Sequence, residues 1–180
     1  MRALALALIL ALSAALPGCA LYPTIEPGQT TEAQVLATYG QPTRRWQEAG
    51  GITILEYATQ PMGVSCFMFS LDDQGRVTNV RDALSDTNLA RVQVGMTEAE
   101  VDRLLGRHRG SEFFVLSGET VWDWNIPNYG PGVATRFNVH FKEGRVVRAS
   151  RDFIYGHGGF SDGGVVFHPA AYLPCPRCTP

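Results

Sequence analysis

Apolar and polar positions along this chain follow two rhythms, and the pair of rhythms occurs twice. In Thr97-Glu98-Ala99-Glu100-Val101-Asp102-Arg103-Leu104-Leu105-Gly106, the residues Val101, Leu104 and Leu105 recur at helical spacing. Thr97 and Glu100 are spaced as a capping box, Met96 stands where a hydrophobic staple against Val101 belongs, and Gly106 supplies a left-handed stop. A weaker copy runs from Thr31 to Gly40, with Thr31 and Gln34 as the box and Val35 and Tyr39 as the apolar face. After each helix the pattern changes to short runs rich in β-branched and aromatic residues. The first set is Ile52–Tyr57, Cys66–Leu71 and Arg76–Val80; the second is Val121–Trp124, Thr135–Phe141 and Arg145–Ala149. Asp72-Asp73-Gln74-Gly75 and Lys142-Glu143-Gly144 join the last two runs of each set as hairpin turns. Leu89 and Val92 predict one more short helix within Ser85–Val92. Equivalent landmarks lie roughly 66 to 69 residues apart, which is an internal duplication.

This pattern predicts an α+β fold of two tandem two-layer units. Each is expected to be a short helical pair packed on an antiparallel three-stranded sheet, the first over 29–84 and the second over 85–155. Helices of two turns are unstable alone in water, so their apolar faces must be buried. Units of this size are small for independent cores, so packing of one unit on the other is expected. The second face of each sheet is then left for solvent, the sister unit or a partner.

The two ends of the chain differ in composition from this body. Residues 1–18 carry Arg2, an apolar run from Ala3 to Leu12 and small residues, as an export signal does. Leu16-Pro17-Gly18-Cys19 resembles the lipobox of bacterial lipoproteins, which implies cleavage before Cys19 and acylation of Cys19. Residues 19–28, with Pro23 and Pro27, are expected to be the lipidated N-terminus and a spacer. Ala20 stands where an aspartate would favour inner-membrane retention, so the expected location is the outer membrane, facing the periplasm. Residues 156–180 form a Gly/Pro-rich tail that contains Cys175-Pro176-Arg177-Cys178.

Charge is nearly balanced, with 15 Lys+Arg against 17 Asp+Glu and no basic run, so nucleic acid is excluded as an expected partner. No cofactor motif and no site for a small-molecule substrate is evident. A C-x-x-C in a proline-rich tail lacks the strand and helix N-terminus of a redox site. Cys175 and Cys178 are expected as a local disulfide, or one of them bridges to Cys66. Zinc ligation by His157, His168, Cys175 and Cys178 would need to gather ligands from an irregular segment, so no metal site is expected. Glu98, Glu100 and Asp102 sit at the start of a helix, where its dipole accounts for them without catalysis. Gly63-Val64-Ser65-Cys66-Phe67 lacks the final glycine of a nucleophile elbow. His108 and His140 have no sequence neighbour that suggests a triad. No catalytic residue is assigned, and the chain is expected not to be an enzyme. Trp46, Trp122 and Trp124 are expected in the core, with room for one as an exposed anchor.

Arg91-Val92-Gln93-Val94-Gly95-Met96-Thr97, continuing to Val101 and Leu105-Gly106, resembles the helix signature of the BamE (SmpA/OmlA) lipoprotein family. Phe137-x-Val139-x-Phe141 and Gly144-Arg145-Val146 resemble that family's closing hairpin. The resemblance implies a lipid-anchored protein-binding module whose partner is an envelope protein, with the β-barrel assembly machinery foremost. The tandem arrangement is also similar to secreted β-lactamase inhibitory proteins, which implies a periplasmic inhibitor or scaffold as the alternative. The chain departs from the BamE pattern in being doubled, in its extra tail and in placing His108 where the first copy keeps Pro42.

Overall fold

A computed structural model describes residues 24–155. The first unit contains α1 (Glu32–Tyr39), β1 (Arg44–Gln47), a 3-10 turn at Ala49–Gly51, β2 (Thr53–Ala58), β3 (Cys66–Leu71) and β4 (Val77–Asp82). The second contains α2 (Asp86–Leu89), α3 (Glu98–Leu105), β5 (Gly110–Phe114), β6 (Glu119–Ile126), β7 (Ala134–Lys142) and β8 (Arg145–Ile154). Each sheet is an antiparallel meander in chain order, β1-β2-β3-β4 and β5-β6-β7-β8.

The two units are therefore tandem α+β copies, but the expected three-stranded sheets are wrong. Each sheet has four strands, because β1 and β5 add an edge. Neither strand carries a buried alternation to announce it: β1 is Arg-Arg-Trp-Gln, and β5 starts at a glycine with its remaining positions exposed. Edge strands are specified by pairing with a neighbour, which local pattern does not record. The helical pairs are corrected as well. Among the described residues there are three α-helices, one in the first unit and two in the second, and α2 is a single turn. The architecture expected from the BamE resemblance is thus not the one found.

The duplication itself extends to individual hydrogen bonds. Both capping boxes form: Thr31 N donates to Gln34 Oε1 at 2.8 Å, and Thr97 N donates to Glu100 Oε2 at 2.7 Å. Each helix start is stitched to the same turn of its own sheet, through Glu32 N to Gly75 O at 2.8 Å and Glu98 N to Gly144 O at 3.3 Å. Gly28 N to Val77 O at 2.7 Å is matched by Gly95 N to Val146 O at 2.8 Å. Corresponding bulges interrupt β3–β4 at Ser70/Leu71 and β7–β8 at His140/Phe141.

Because side chains alternate across a strand, β2 and β3 serve two cores at once. Leu55, Tyr57, Phe67 and Phe69 face α1 and pack with Val35. Ile25 is buried in the same cluster, so the first unit's core begins upstream of α1. Tyr39, Tyr57 and Phe69 form an aromatic trio with centroids 5.3–5.7 Å apart. Tyr57 donates its hydroxyl to Gly40 O at 2.9 Å, and burial pushes its pKa up to about 12.

On the opposite face, Ile54, Cys66 and Met68 meet Val101, Leu104 and Leu105 of α3, which also packs on Trp124, Phe137, Val139 and Phe141. The sister unit's helix thus lies between the two sheets. Glu56, fully buried, binds across this junction: Arg44 reaches it at 2.6 Å and Asp102 of α3 at 2.7 Å, while Arg107 N donates to it at 3.1 Å. Burial alone would disfavour the Arg44 charge, but hydrogen bonds to Asp102 and Glu56 outweigh it and raise its pKa. Gln60 continues the latch, with its amide bonding Asn125 O at 2.8 Å and Asn125 N at 3.2 Å.

Candidate functional site

Packing leaves the β5–β6 hairpin projecting from the second sheet. β5 pairs with β6 alone, from Gly110 opposite Asp123 to Phe114 opposite Glu119. Residues 115–118 close the turn, with Gly118 at φ +66° donating to Phe114 O at 2.8 Å. A positive φ is what admits glycine there. The tip carries four consecutive apolar side chains with no charge among them. Phe113 is 60% exposed, Phe114 45%, Val115 80% and Leu116 105%. Isolated exposed apolar residues are ordinary on a protein surface, but a contiguous protruding set marks an interaction site.

The second sheet's uncovered face is polar. Glu119 accepts from Arg148 at 3.0 Å and contacts His140 Nδ1 at 3.1 Å, and His140 Nε2 lies 3.3 Å from Ser150 Oγ. The Arg148 hydrogen bond holds the Glu119 carboxyl below its usual pKa. Asn138 donates to Asp152 at 2.6 Å, and Asp123 pairs with Arg109. Ser150, His140 and Glu119 are ordered like a nucleophilic triad, although sequence spacing alone shows no such grouping. Hydrolysis needs donors preorganised around a developing oxyanion. The amide beside Ser150 Oγ is Asn138 Nδ2, 3.5 Å away and already committed to Asp152, and Glu119 is shared with Arg148. The trio is cross-strand pairing on an open sheet rather than a reaction centre.

The other residues singled out in the sequence have plain positions. Cys66 is a buried free thiol, and burial pushes its pKa well up, which makes it unreactive. Cys19, Cys175, Cys178, His157 and His168 lie outside the described residues. Among the described residues no cluster of three or more His, Cys, Asp or Glu is arranged to hold a metal. Glu100 serves the helix cap, and Asp102 serves the inter-unit latch. Trp124 is fully buried and donates to Gly106 O at 3.1 Å. Trp122 stacks on His108 at 4.5 Å, and Trp46 lies under the guanidinium groups of Arg44 and Arg103. None of the three tryptophans is exposed; the exposed aromatic side chains include Phe113 and Phe114 on the edge hairpin and Tyr129, Phe153 and Tyr155 elsewhere. The exposure of Phe113-Phe114-Val115-Leu116 follows from its place at a sheet edge.

No family model matches the chain, and no curated protein matches its sequence. Solved structures give distant likenesses. A candidate β-lactamase inhibitor protein from Streptococcus mutans is 13% identical, with 68% of this chain and 82% of that one covered and a TM-score of 0.30. An extracellular protein containing an SCP domain from Bacillus anthracis is also 13% identical, with 77% and 48% covered and a TM-score of 0.30. YjgB, a DUF4309 family protein from Bacillus subtilis, is 15% identical, with 71% and 80% covered and a TM-score of 0.28.

Proposed function

We propose that this chain is a non-enzymatic protein-binding module of the cell envelope, acting as an inhibitor or scaffold through its β5–β6 hairpin tip. The observation that carries the reading is the exposed run Phe113-Phe114-Val115-Leu116. Aromatic and large apolar anchors that enter a partner's pocket supply most of the binding energy in protein interfaces. A hairpin braced by β6 presents them with little ordering cost. Acylation of Cys19 would hold the module at the membrane, and the helix signature's resemblance to the BamE family makes the β-barrel assembly machinery the first partner to test.

A photo-crosslinking amino acid at Leu116, with a control at Gln74 on the first unit's exposed turn, tests this in the native producer. A single protein adduct from Leu116, absent from Gln74 and lost on Phe113→Ser, is the expected result. No adduct, or adducts with lipid alone, would overturn it. Stoichiometric inhibition of a serine β-lactamase by the purified protein would select the inhibitor form of the reading.

A further inference from the structure

A second surface feature specifies the chemistry of the partner, and it rests on the protein-binding reading above. Where the linker between the units meets α3, a groove of about 630 Å³ is walled by Arg81, Arg91 and Arg103 and floored in part by Met96 and Leu104. Among the described residues these three, like Arg76, Arg107 and Arg145, have no carboxylate within 4.0 Å, but they are the ones gathered in one groove. Arg44, Arg45, Arg109, Arg136, Arg148 and Arg151 each stand within 4.0 Å of a carboxylate. Arg81 instead donates to Leu104 O and Arg103 O, both at 2.8 Å, and Arg91 donates to Asn88 Oδ1 at 3.1 Å. Arg103 lies 5.2 Å over the Trp46 ring. Neutral groups hold all three, and none forms an ion pair within 4.0 Å among the described residues. Burial and the nearby Arg91 charge both hold Arg81 below its usual pKa.

Two carboxylates also line the groove, and neutral donors hold them, so one positive charge is in excess there. Glu100 is held by Thr97 in the helix cap, and Glu48 accepts from Trp46 Nε1 at 3.3 Å. Three preorganised guanidinium groups beside an apolar floor match carboxylates flanking an apolar side chain. We infer that this groove seats an acidic, extended segment of the partner protein, with carboxylates on Arg91 and Arg103 and an apolar side chain on Met96 and Leu104.

The groove and the hairpin tip belong to one end of the molecule. Met96 O accepts from Val146 N, Val146 pairs with Phe141, Phe141 with Thr120, and Thr120 with Phe113. Four strand spacings put the two features roughly 20 Å apart, within the reach of one ordinary interface.

Fluorescence anisotropy of a labelled decaglutamate peptide against the full chain at low salt tests the groove. Saturable binding is expected, absent with decalysine, and weakened about tenfold or more by Arg91→Gln/Arg103→Gln. Gln74→Ala, on the first unit's exposed turn, should bind the peptide like the unmodified chain. Arg91→Gln alone leaves the packed Arg103–Trp46 contact intact, and melting curves verify that each variant is folded. No peptide binding, equal affinity in the double variant, or displacement of the peptide by inorganic phosphate at similar concentration would overturn the inference. If these fail while the Leu116 protein adduct persists, the groove alone is lost. If the adduct is absent, the protein-binding reading itself falls.

Discussion

The two units share a capping box, a meander and a bulge, and they differ in what lies on the second face of the sheet. In the first unit that face carries Ile54, Cys66 and Met68 and is covered by the helix of the second. In the second unit the corresponding face carries Asp123, Asn138 and His140, partnered by Arg109, Asp152 and Glu119, and Arg136, whose Nε is buried without a hydrogen bond 4.0 Å from Asp123. Glu56 and Asp123 make the contrast at one position, since each stands opposite the start of its edge strand, at Arg44 and Gly110. Glu56 is sealed beneath α3, whereas Asp123 meets its arginines on the open sheet. Duplicated units thus diverge according to their order in the stack, because among the described residues only the first sheet has a helix on both faces.

The helix stops should break this symmetry most. Gly40 and Gly106 share a positive φ, +75° and +76°, but a Cβ on Gly40 would meet nothing within 4 Å while one on Gly106 would lie 2.5 Å from Cys66 Sγ. Gly40→Ala should cost about 1–2 kcal/mol of backbone strain. Gly106→Ala adds overpacking and should cost roughly 3–4 kcal/mol, read by urea unfolding. Equal losses would mean that the units do not pack as described.

Next comes the carboxylate pair. Glu56→Gln should cost about 3 kcal/mol, because it breaks a buried ion pair and leaves Arg44 with Asp102 alone. Asp123→Asn, at a carboxylate 14% exposed and near both Arg109 and Arg136, should cost less, about 1–2 kcal/mol. Denaturant midpoints compare the two directly.

A smaller effect should come from the position where the first copy has Pro42 and the second His108. Burial lowers the His108 pKa, opposed by Asp102 and Asp123 and aided by Arg44 and Arg107, and its Nδ1 is buried without a hydrogen-bond partner. A depressed histidine contributes stability that is present above its unfolded pKa, about 6.5, and is lost as pH falls through the folded value. Melting temperature should therefore drop on acidification below that point, and His108→Phe should flatten the decline. A decline of unchanged slope in that variant would assign it to other groups.

The smallest effects are expected on the free surfaces. Phe113→Ser, at a side chain 60% exposed, should change stability by no more than about 0.5 kcal/mol while abolishing the Leu116 adduct. Ser150 should not react with a fluorophosphonate probe, and labelling there would reverse the reading of the Ser150–His140–Glu119 trio.

Both helix boundaries, the central strands and the duplication are legible in the residues. Local chemistry decides them: Thr97 and Glu100 cap their own helix, and Cys66–Leu71 is a strand in any context that buries it. Tertiary structure decided the rest. β1 and β5 exist because a neighbouring strand offers them hydrogen bonds, and neither Arg44–Gln47 nor Gly110–Phe114 shows that locally. The same holds for the binding surface. Phe113 to Leu116 are a surface because the fold leaves them at the sheet's edge, and Arg81, Arg91 and Arg103 come from separate segments. Capping and strand propensity act over a few residues along the chain. Edge pairing, exposure and charge clustering depend on which distant segments become neighbours.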